Sequence, residues 1–245
     1  MKQILFISII IIANIVYSQN DKTISSPVVD NKTLYDIELN YGISFPGSDI
    51  SYQGWEDNFV SYSKPGMDIR ASLLMQIWKN SGIFFSYHYL NNDLDFDQIL
   101  DRFKEKSYTM LWTGTYSQWY HHTFYVGFST ELPIGKKFNL NMRIQPGLSY
   151  SISPEYRVIG EDSVDPSKTY YYEQYKDYSL SFALTTGMGV KYLFSEKFYG
   201  LIRSDLTFFA PKFDVEVNND GRFYYKDYTP YITSFSVSLG LGFKF

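Results

Sequence analysis

Three histidines are the side chains of this chain that could carry acid–base chemistry at neutral pH. His88 and His121 lie on the small, polar face of alternating segments, and Ser86 precedes His88 by two residues on the same face. If the loop between the two segments is symmetric, the rings lie opposite one another and could bind a metal or relay protons, with Ser86 as a nucleophile. A third ligand and a recognisable set of Ser, His and carboxylate are missing. We therefore predict no catalytic residue, no metal site and no cofactor.

A second chemical candidate is the alternating run of Asp93, Asp95 and Asp97. Carboxylates at this spacing are typical of the start of a calcium-binding loop. The glycine and the closing glutamate of such a loop are missing at the required offsets. We interpret the run as the acidic face of an extended strand.

The segments that carry the histidines alternate between apolar and polar positions. The stretch 231–245 is the clearest case, because one face is apolar or aromatic while the other holds mostly Ser and Gly. Alternation with a period of two predicts a β-strand. The same pattern predicts seven earlier strands, at 35–45, 67–78, 83–90, 120–132, 138–152, 178–194 and 198–209.

The connections between these strands alternate in length. Short turns fall at 79–82, 133–137 and 195–197, and long loops run over 46–66, 91–118, 153–177 and 210–230. An even strand number with this alternation predicts an all-β, antiparallel up-and-down barrel of eight strands, with short periplasmic turns and long extracellular loops. Several strands exceed the roughly 9 to 11 residues that cross a bilayer, so a hairpin rim could project outside and raise the count to ten.

Alternation alone does not say which face is inside the barrel. A lipocalin is also an eight-stranded barrel, but its apolar face points inward and Lys and Glu cover its exterior. Here the polar face is mostly Ser, Gly, Asn and Thr, which suits a narrow packed lumen. Aromatic residues make up 20% of the chain, which fits the aromatic belts of a transmembrane barrel.

The amino-terminal segment predicts export from the cytoplasm. Lys2 precedes an uncharged run, so we interpret 1–18 as a signal peptide cleaved near Ser18. A spanning helix would need about 20 apolar residues, and polar residues from Asn14 onward interrupt the run too early. We expect 19–34 to be a flexible periplasmic segment and 35–245 to be the barrel domain.

Charged residues on the polar faces predict an ion-pair network inside the barrel. Five acids and five bases share this face, and near balance is expected because an unpaired charge in a low-dielectric lumen is costly. The alternative is a gated ion path. The predicted lumen charge network contains Glu38, Asp68, Arg70, Glu131, Arg143, Arg203 and Asp205, with Asp36, Lys191 and Lys244 on the same face.

The long loops are rich in tyrosine and contain the candidate binding residues. Rigid aromatic side chains with polar tips are typical of protein and glycan contact surfaces. They are equally typical of the upper membrane belt. The loop candidates are Trp55, Tyr171, Tyr172, Tyr224 and Tyr225.

A family resemblance rests on the eight alternating strands, the short turn Leu132–Phe138 and the end Gly240–Phe245. Over 35–245 the chain resembles the small outer-membrane barrels that include the OmpA transmembrane domain and OmpX. This resemblance implies residence in the cell outer membrane among outer-membrane lipids and lipopolysaccharide, and assembly by machinery that reads Phe245. It carries over no catalytic residue.

These observations predict an integral outer-membrane protein with a structural or interaction role through its Tyr-rich loops, without catalysis. Three alternatives stay open: a subunit of an envelope secretion or assembly complex, similar to PorT-like barrels, a narrow ion channel, and a lipid A-modifying enzyme. Envelope proteins are possible partners. The formal net charge of −4 provides no basic footprint for nucleic acid.

Overall fold

The computed structural model describes residues 35–48, 63–78, 80–106, 109–165 and 167–245. The signal peptide with its cleavage near Ser18, the periplasmic segment 19–34 and the loop candidate Trp55 lie outside the described residues. The described elements in chain order are β1 (Tyr35–Ser48), β2 (Gly66–Trp78), β3 (Ser81–Asn92), α1 (Phe96–Lys106), β4 (Met110–Tyr116), β5 (Trp119–Pro133), β6 (Phe138–Ile152), β7 (Tyr156–Asp162), β8 (Thr169–Gln174), β9 (Tyr178–Leu193), β10 (Phe198–Phe209), β11 (Phe213–Asn219), β12 (Arg222–Tyr228) and β13 (Ile232–Lys244).

Eight strands form a closed antiparallel barrel in the order β1-β13-β10-β9-β6-β5-β3-β2. The predicted eight-stranded antiparallel barrel is confirmed, and its members are the eight segments that the alternation identified. The largest difference in bounds is at β3, which runs over Ser81–Asn92. The chain closes between β1 and β13, where Tyr35 and Phe245 exchange backbone hydrogen bonds of 3.0 and 2.9 Å.

The other five strands form a second sheet, which we name the cap, in the order β12-β11-β8-β7-β4. Each cap strand is only two or three residues from a barrel strand, and the order in the cap repeats the barrel order β13-β10-β9-β6-β5. The cap is therefore a continuation of five neighbouring barrel strands beyond the barrel. The alternative of ten barrel strands is wrong, because the extra strands pair with one another and not within the barrel.

The hairpin β11–β12 shows why a cap strand forms inside a predicted loop. Phe213, Val215 and Val217 alternate with polar residues and are fully buried. Asp220 and Gly221 make the two-residue turn, with φ of 51° and 82°. Asp-Gly accepts these left-handed conformations readily, and the resulting turn matches the twist of the flanking strands.

Helix α1 covers the inner face of the cap. Phe96, Ile99 and Phe103 are buried and follow the three- and four-residue spacing of one helix face. They share a core with apolar residues of all five cap strands, and this core comprises Leu94, Phe96, Ile99, Phe103, Trp112, Trp119, Tyr156, Val158, Tyr172, Phe213, Val215, Val217 and Tyr228. The cap is thus a packed unit with its own core.

The expected acidic strand at Asp93, Asp95 and Asp97 is wrong. Asp97 lies in the first turn of α1, where a carboxylate interacts favourably with the helix dipole. Asp95 precedes the helix and accepts a hydrogen bond of 3.4 Å from the Gln98 amide. The Asp95 carboxylate also accepts a hydrogen bond of 2.8 Å from the Gln98 side-chain amide and lies 3.1 Å from the Lys64 ammonium. Asp95 and Asp97 therefore lie at the start of a helix, and Asp93 precedes it.

Among the described residues, no helix is both long enough and apolar enough to cross a membrane.

Candidate functional site

The barrel lumen holds a network of ion pairs, and its first layer lies near the short turns. Lys191 is fully buried and contacts Glu38 at 2.7 Å, Asp36 at 3.5 Å and also Glu131. The Tyr199 hydroxyl lies 3.0 Å from a Glu38 oxygen and 3.1 Å from an Asp36 oxygen. Three carboxyl groups from β1 and β5 therefore share one ammonium.

The second layer lies further from the turns and is built on Asp205. Arg143 donates to both Asp205 oxygens, with distances of 2.8 to 3.0 Å, and Arg70 donates to Asp205 at 2.5 Å. Arg203 reaches back to Glu38 at 2.9 Å and so connects the two layers. The Phe84 ring lies 5.3 and 5.8 Å from the Arg143 and Arg203 guanidinium groups, within the range of cation–π attraction.

A glycine on β9 makes the contact between Arg143 and Asp205 possible. Gly187 pairs with Arg143 on one side and with Asp205 on the other. A Cβ at Gly187 would lie 1.8 Å from an Asp205 carboxylate oxygen. Because glycine has no side chain, Arg143 can reach Asp205 across the intervening strand.

The two lumen histidines do not form the expected pair. His88 lies 2.6 Å from Asp68 and 3.0 Å from Arg70, whereas His121 lies 3.0 Å from Ser151. The register places His88 beside Thr123 and not beside His121. Among the described residues, no group of three or more His, Cys, Asp and Glu side chains could hold a metal ion.

The side-chain partner of Ser86 is an amide from β6. The Ser86 hydroxyl accepts a hydrogen bond of 3.1 Å from the Gln145 amide. His88 is 0% exposed, and Asp68 and Arg70 are 1% exposed. A substrate outside the barrel cannot reach these groups in this conformation.

An apolar layer lies between the lumen network and the cap. Leu90, Tyr125, Ala183, Phe209 and Ile232 form a buried cluster. His121 packs against this layer, with its ring 4.7 Å from the Phe209 ring, and stacks on Trp119 at 5.9 Å. Trp119 in turn contacts Phe213 of the cap at 5.7 Å. Packed side chains therefore continue from the lumen into the cap core.

Near the short turns the lumen opens into a small cavity of about 150 Å³. Its lining includes Asp36, Glu131 and Lys244, which belong to the first layer of the network. Lys244 lies 4.0 Å from Asp36 and 3.9 Å from Glu131. The cavity is therefore the open end of the lumen, and the ion-pair network is its floor.

The loop candidates divide between two faces of the cap. Tyr171, Tyr224 and Tyr225 are exposed. Tyr172 is buried, with its ring 5.9 Å from Tyr156 and 5.3 Å from Phe103, and burial raises its phenol pKa above the ordinary value. Tyr172 is a core residue of the cap, so its assignment to a binding surface is wrong.

The exterior of the barrel is apolar. Leu39, Phe124, Leu180 and Leu241 are each more than half exposed, as are many of their neighbours on the same outward face. Most of the buried side chains inside the barrel are charged or polar. This arrangement is the reverse of a lipocalin, and that alternative is wrong.

The chain folds as a closed eight-stranded β-barrel with the apolar exterior and polar interior of a transmembrane barrel. An exterior of this composition is stable only against lipid tails or detergent, because water would have to solvate a continuous apolar surface. The acids and bases of the ion-pair network lie on the inward face of the same strands.

Comparison with known proteins gives matches only at the level of structure. No protein-family model and no curated protein sequence matches the chain. A major outer membrane protein from Thermus thermophilus is 10% identical, with 88% of this chain and 100% of that chain covered and a TM-score of 0.48. Neisserial surface protein A is 10% identical, covers 86% of this chain and 97% of its own, and has a TM-score of 0.43. OprG from Pseudomonas aeruginosa is 12% identical, with coverages of 87% and 96% and a TM-score of 0.42.

Proposed function

We propose that this protein resides in the cell outer membrane, that its lumen does not conduct, and that it acts without catalysis as a structural or interaction protein through its cap. The observation that carries this proposal is the filled lumen. Arg70, Arg143, Arg203 and Asp205 cross it at mid-height and are all at most 4% exposed. Side chains fill an eight-stranded barrel readily, since its interior is only wide enough to hold them.

Two aromatic belts support the position of the membrane. On β6, Phe138 contacts Tyr192 near the turns, and Tyr150 stacks on Tyr178 near the cap. Twelve positions separate Phe138 from Tyr150 on β6, which at about 3.4 Å per residue and a tilt of about 40° is roughly 30 Å of height. This matches the hydrocarbon core of a bilayer. Short turns then face the periplasm and the cap faces outside.

Conductance in planar bilayers tests the filled lumen. We expect membranes that contain the purified protein to stay silent, because the Asp205 ion pairs leave no continuous aqueous path. Discrete current steps whose size changes on Arg143→Gln or Arg203→Gln replacement would overturn the proposal in favour of a narrow channel.

The absence of catalysis is supported by the burial of His88 and Asp68. We expect cells that express the protein to contain unchanged lipid A. Altered lipid A that returns to normal with His88→Ala would instead identify a lipid-modifying enzyme and contradict the proposal.

A further inference from the structure

The cap sheet has one face that no described element covers. Its inner face packs on α1, as the burial of alternate residues shows. The opposite face, which we name the outer cap face, is defined by the strand registers. It consists of Leu111, Thr113, Thr115, Arg157, Ile159, Glu161, Thr169, Tyr171, Glu173, Asp214, Glu216, Asn218, Phe223, Tyr225 and Asp227.

The charge on the outer cap face is one-sided. Five of its residues are acidic and one, Arg157, is basic, and Lys212 before β11 lies 4.0 Å from Asp227. Asp214 lies directly opposite Asp227 in the register of β11 and β12. Like charges opposite each other across a sheet are destabilising. Desolvation and the facing Asp227 carboxyl raise the pKa of Asp214. The facing carboxylates of Asp214 and Asp227 therefore lower the stability of the cap sheet.

Exposed aromatic rings lie among these carboxylates. Phe223 and Tyr225 are 61% and 69% exposed, and Glu216 is the register partner of Tyr225. A ring of this face already holds a cation, since the Arg157 guanidinium lies 5.6 Å from the Tyr171 ring. A carboxylate beside an aromatic face attracts Lys and Arg by two effects, an ion pair and a cation–π contact.

The same charge pattern disfavours anionic partners. Phosphate groups, whether of lipid or of a free ligand, meet repulsion from the carboxylates. The complementary occupant is a cationic surface with spaced basic side chains.

We propose that the outer cap face binds a Lys- or Arg-rich segment of another protein. This proposal rests on one part of the proposed function: the cap must face the outside of the cell, because such a partner could not reach it otherwise. Glu216 and Asp227 supply the ion pairs, and Phe223 and Tyr225 supply the ring faces.

The test uses the full chain in nanodiscs of phosphatidylcholine, a lipid without net charge, so that a cationic probe has no affinity for the membrane itself. The probe is a fluorescent peptide of alternating Lys and Ser, and its counterpart has Glu in place of Lys. We expect fluorescence anisotropy to rise with the Lys peptide only. We expect the affinity to fall with added salt, because the interaction is electrostatic.

Matched variants separate a site from a general charge effect. Glu216→Gln with Asp227→Asn removes two charges from the outer cap face, and we expect roughly tenfold weaker binding, as for charge pairs at interfaces. Asp101→Asn with Glu105→Gln removes two charges from exposed positions on α1, and we expect less than a twofold change. Tyr225→Ser should weaken binding with no change in net charge.

Two outcomes would overturn the inference. The first is equal binding of the Lys and Glu peptides, and the second is an equal loss of affinity in both double variants. Neither outcome depends on the orientation of the barrel in cells. Failure of the peptide test is therefore distinguishable from failure of the proposed function.

Discussion

Single glycines determine which lumen side chains can meet. Gly189 pairs with Asn141 and Arg203, and these two side chains are joined across it at 2.9 Å. Gly242 stands in the same relation to Glu38 and Tyr199. The sequence indicated a small, polar face on these strands. It could not show that each glycine lies beneath a contact between its two neighbours, because that depends on the register of three strands.

Gly187→Ala is expected to destabilise the barrel. The new Cβ would lie 1.8 Å from the Asp205 carboxylate and 2.8 Å from the Ser204 carbonyl, so side chain and backbone must both shift. Overpacking of this kind costs about 1–3 kcal/mol. Thermal unfolding in detergent measures the change. Gly135→Ala is the control, since no atom lies within 4 Å of its Cβ. Equal unfolding temperatures for the two variants would contradict the account of Gly187.

Asp205→Asn is expected to be more severe. The change leaves Arg143 buried with a neutral partner and leaves Asp68, at 3.4 Å, as the charged partner of Arg70. Loss of one member of a buried ion pair costs about 3–5 kcal/mol. Denaturant unfolding of the refolded protein measures this cost. The added replacement Arg143→Gln should recover part of it, because it removes the excess positive charge.

The matched control for Asp205 is Asp165→Asn, which breaks an exposed ion pair with Lys168. We expect no measurable change there. An Asp205→Asn protein that unfolds at the same denaturant concentration as the unmodified chain would show that the lumen network does not stabilise the barrel.

Among the elements, the barrel strands could be predicted, whereas the cap was expected only as a projecting hairpin rim and its five strands were assigned to loops. Barrel strands separate lipid from a polar lumen over their whole length, so their alternation is long and regular. The cap strands are short, and Tyr170, Tyr171 and Tyr172 are aromatic on both faces of β8. Only burial distinguishes Tyr172 from its neighbours. The sequence of β11 did contain a signal for a hairpin, because its alternating residues are followed directly by the Asp220-Gly221 turn.

Part of helix α1 could also be predicted from the sequence. Phe96, Ile99 and Phe103 have helical spacing, but the alternating aspartates before them suggested an extended chain. The hydrogen bond from the Gln98 amide to Asp95 shows the reason for the error. Aspartates near a helix start interact with free backbone N–H groups and with the helix dipole, so their spacing has no meaning as a strand pattern.

Phe103→Ala is expected to loosen the cap and leave the barrel intact. The Phe103 ring lies 5.1 Å from Trp112 and 5.3 Å from Tyr172, and a buried Phe→Ala change costs about 3–5 kcal/mol. Limited proteolysis should cut within 93–118, while the folded barrel keeps its fast migration in unheated gels. Glu105→Ala, an exposed change on the same helix, should resist cleavage. Loss of the fast migration together with loss of cap protection would show that cap and barrel unfold as one unit.

At the scale of the whole molecule, charge balance could be predicted but pairing could not. The sequence shows five acids and five bases on inward faces. Which base meets which acid depends on the barrel register, and Arg70 on β2 reaching Asp205 on β10 is a contact across the lumen. Periodicity within one strand contains no information on such distances.

The side of the membrane on which the cap lies is also a property of the whole molecule. The chain contains no cysteine, so a single introduced thiol reports its own position. Tyr225→Cys places that thiol on the exposed outer cap face, and Glu196→Cys places it on the exposed turn between β9 and β10. On intact cells a membrane-impermeant maleimide should label the Tyr225 site only. After the outer membrane is permeabilised, it should label both sites, which controls for thiol reactivity. Labelling of the Glu196 site on intact cells would place the short turns outside, and a cap facing the periplasm could not meet an extracellular partner.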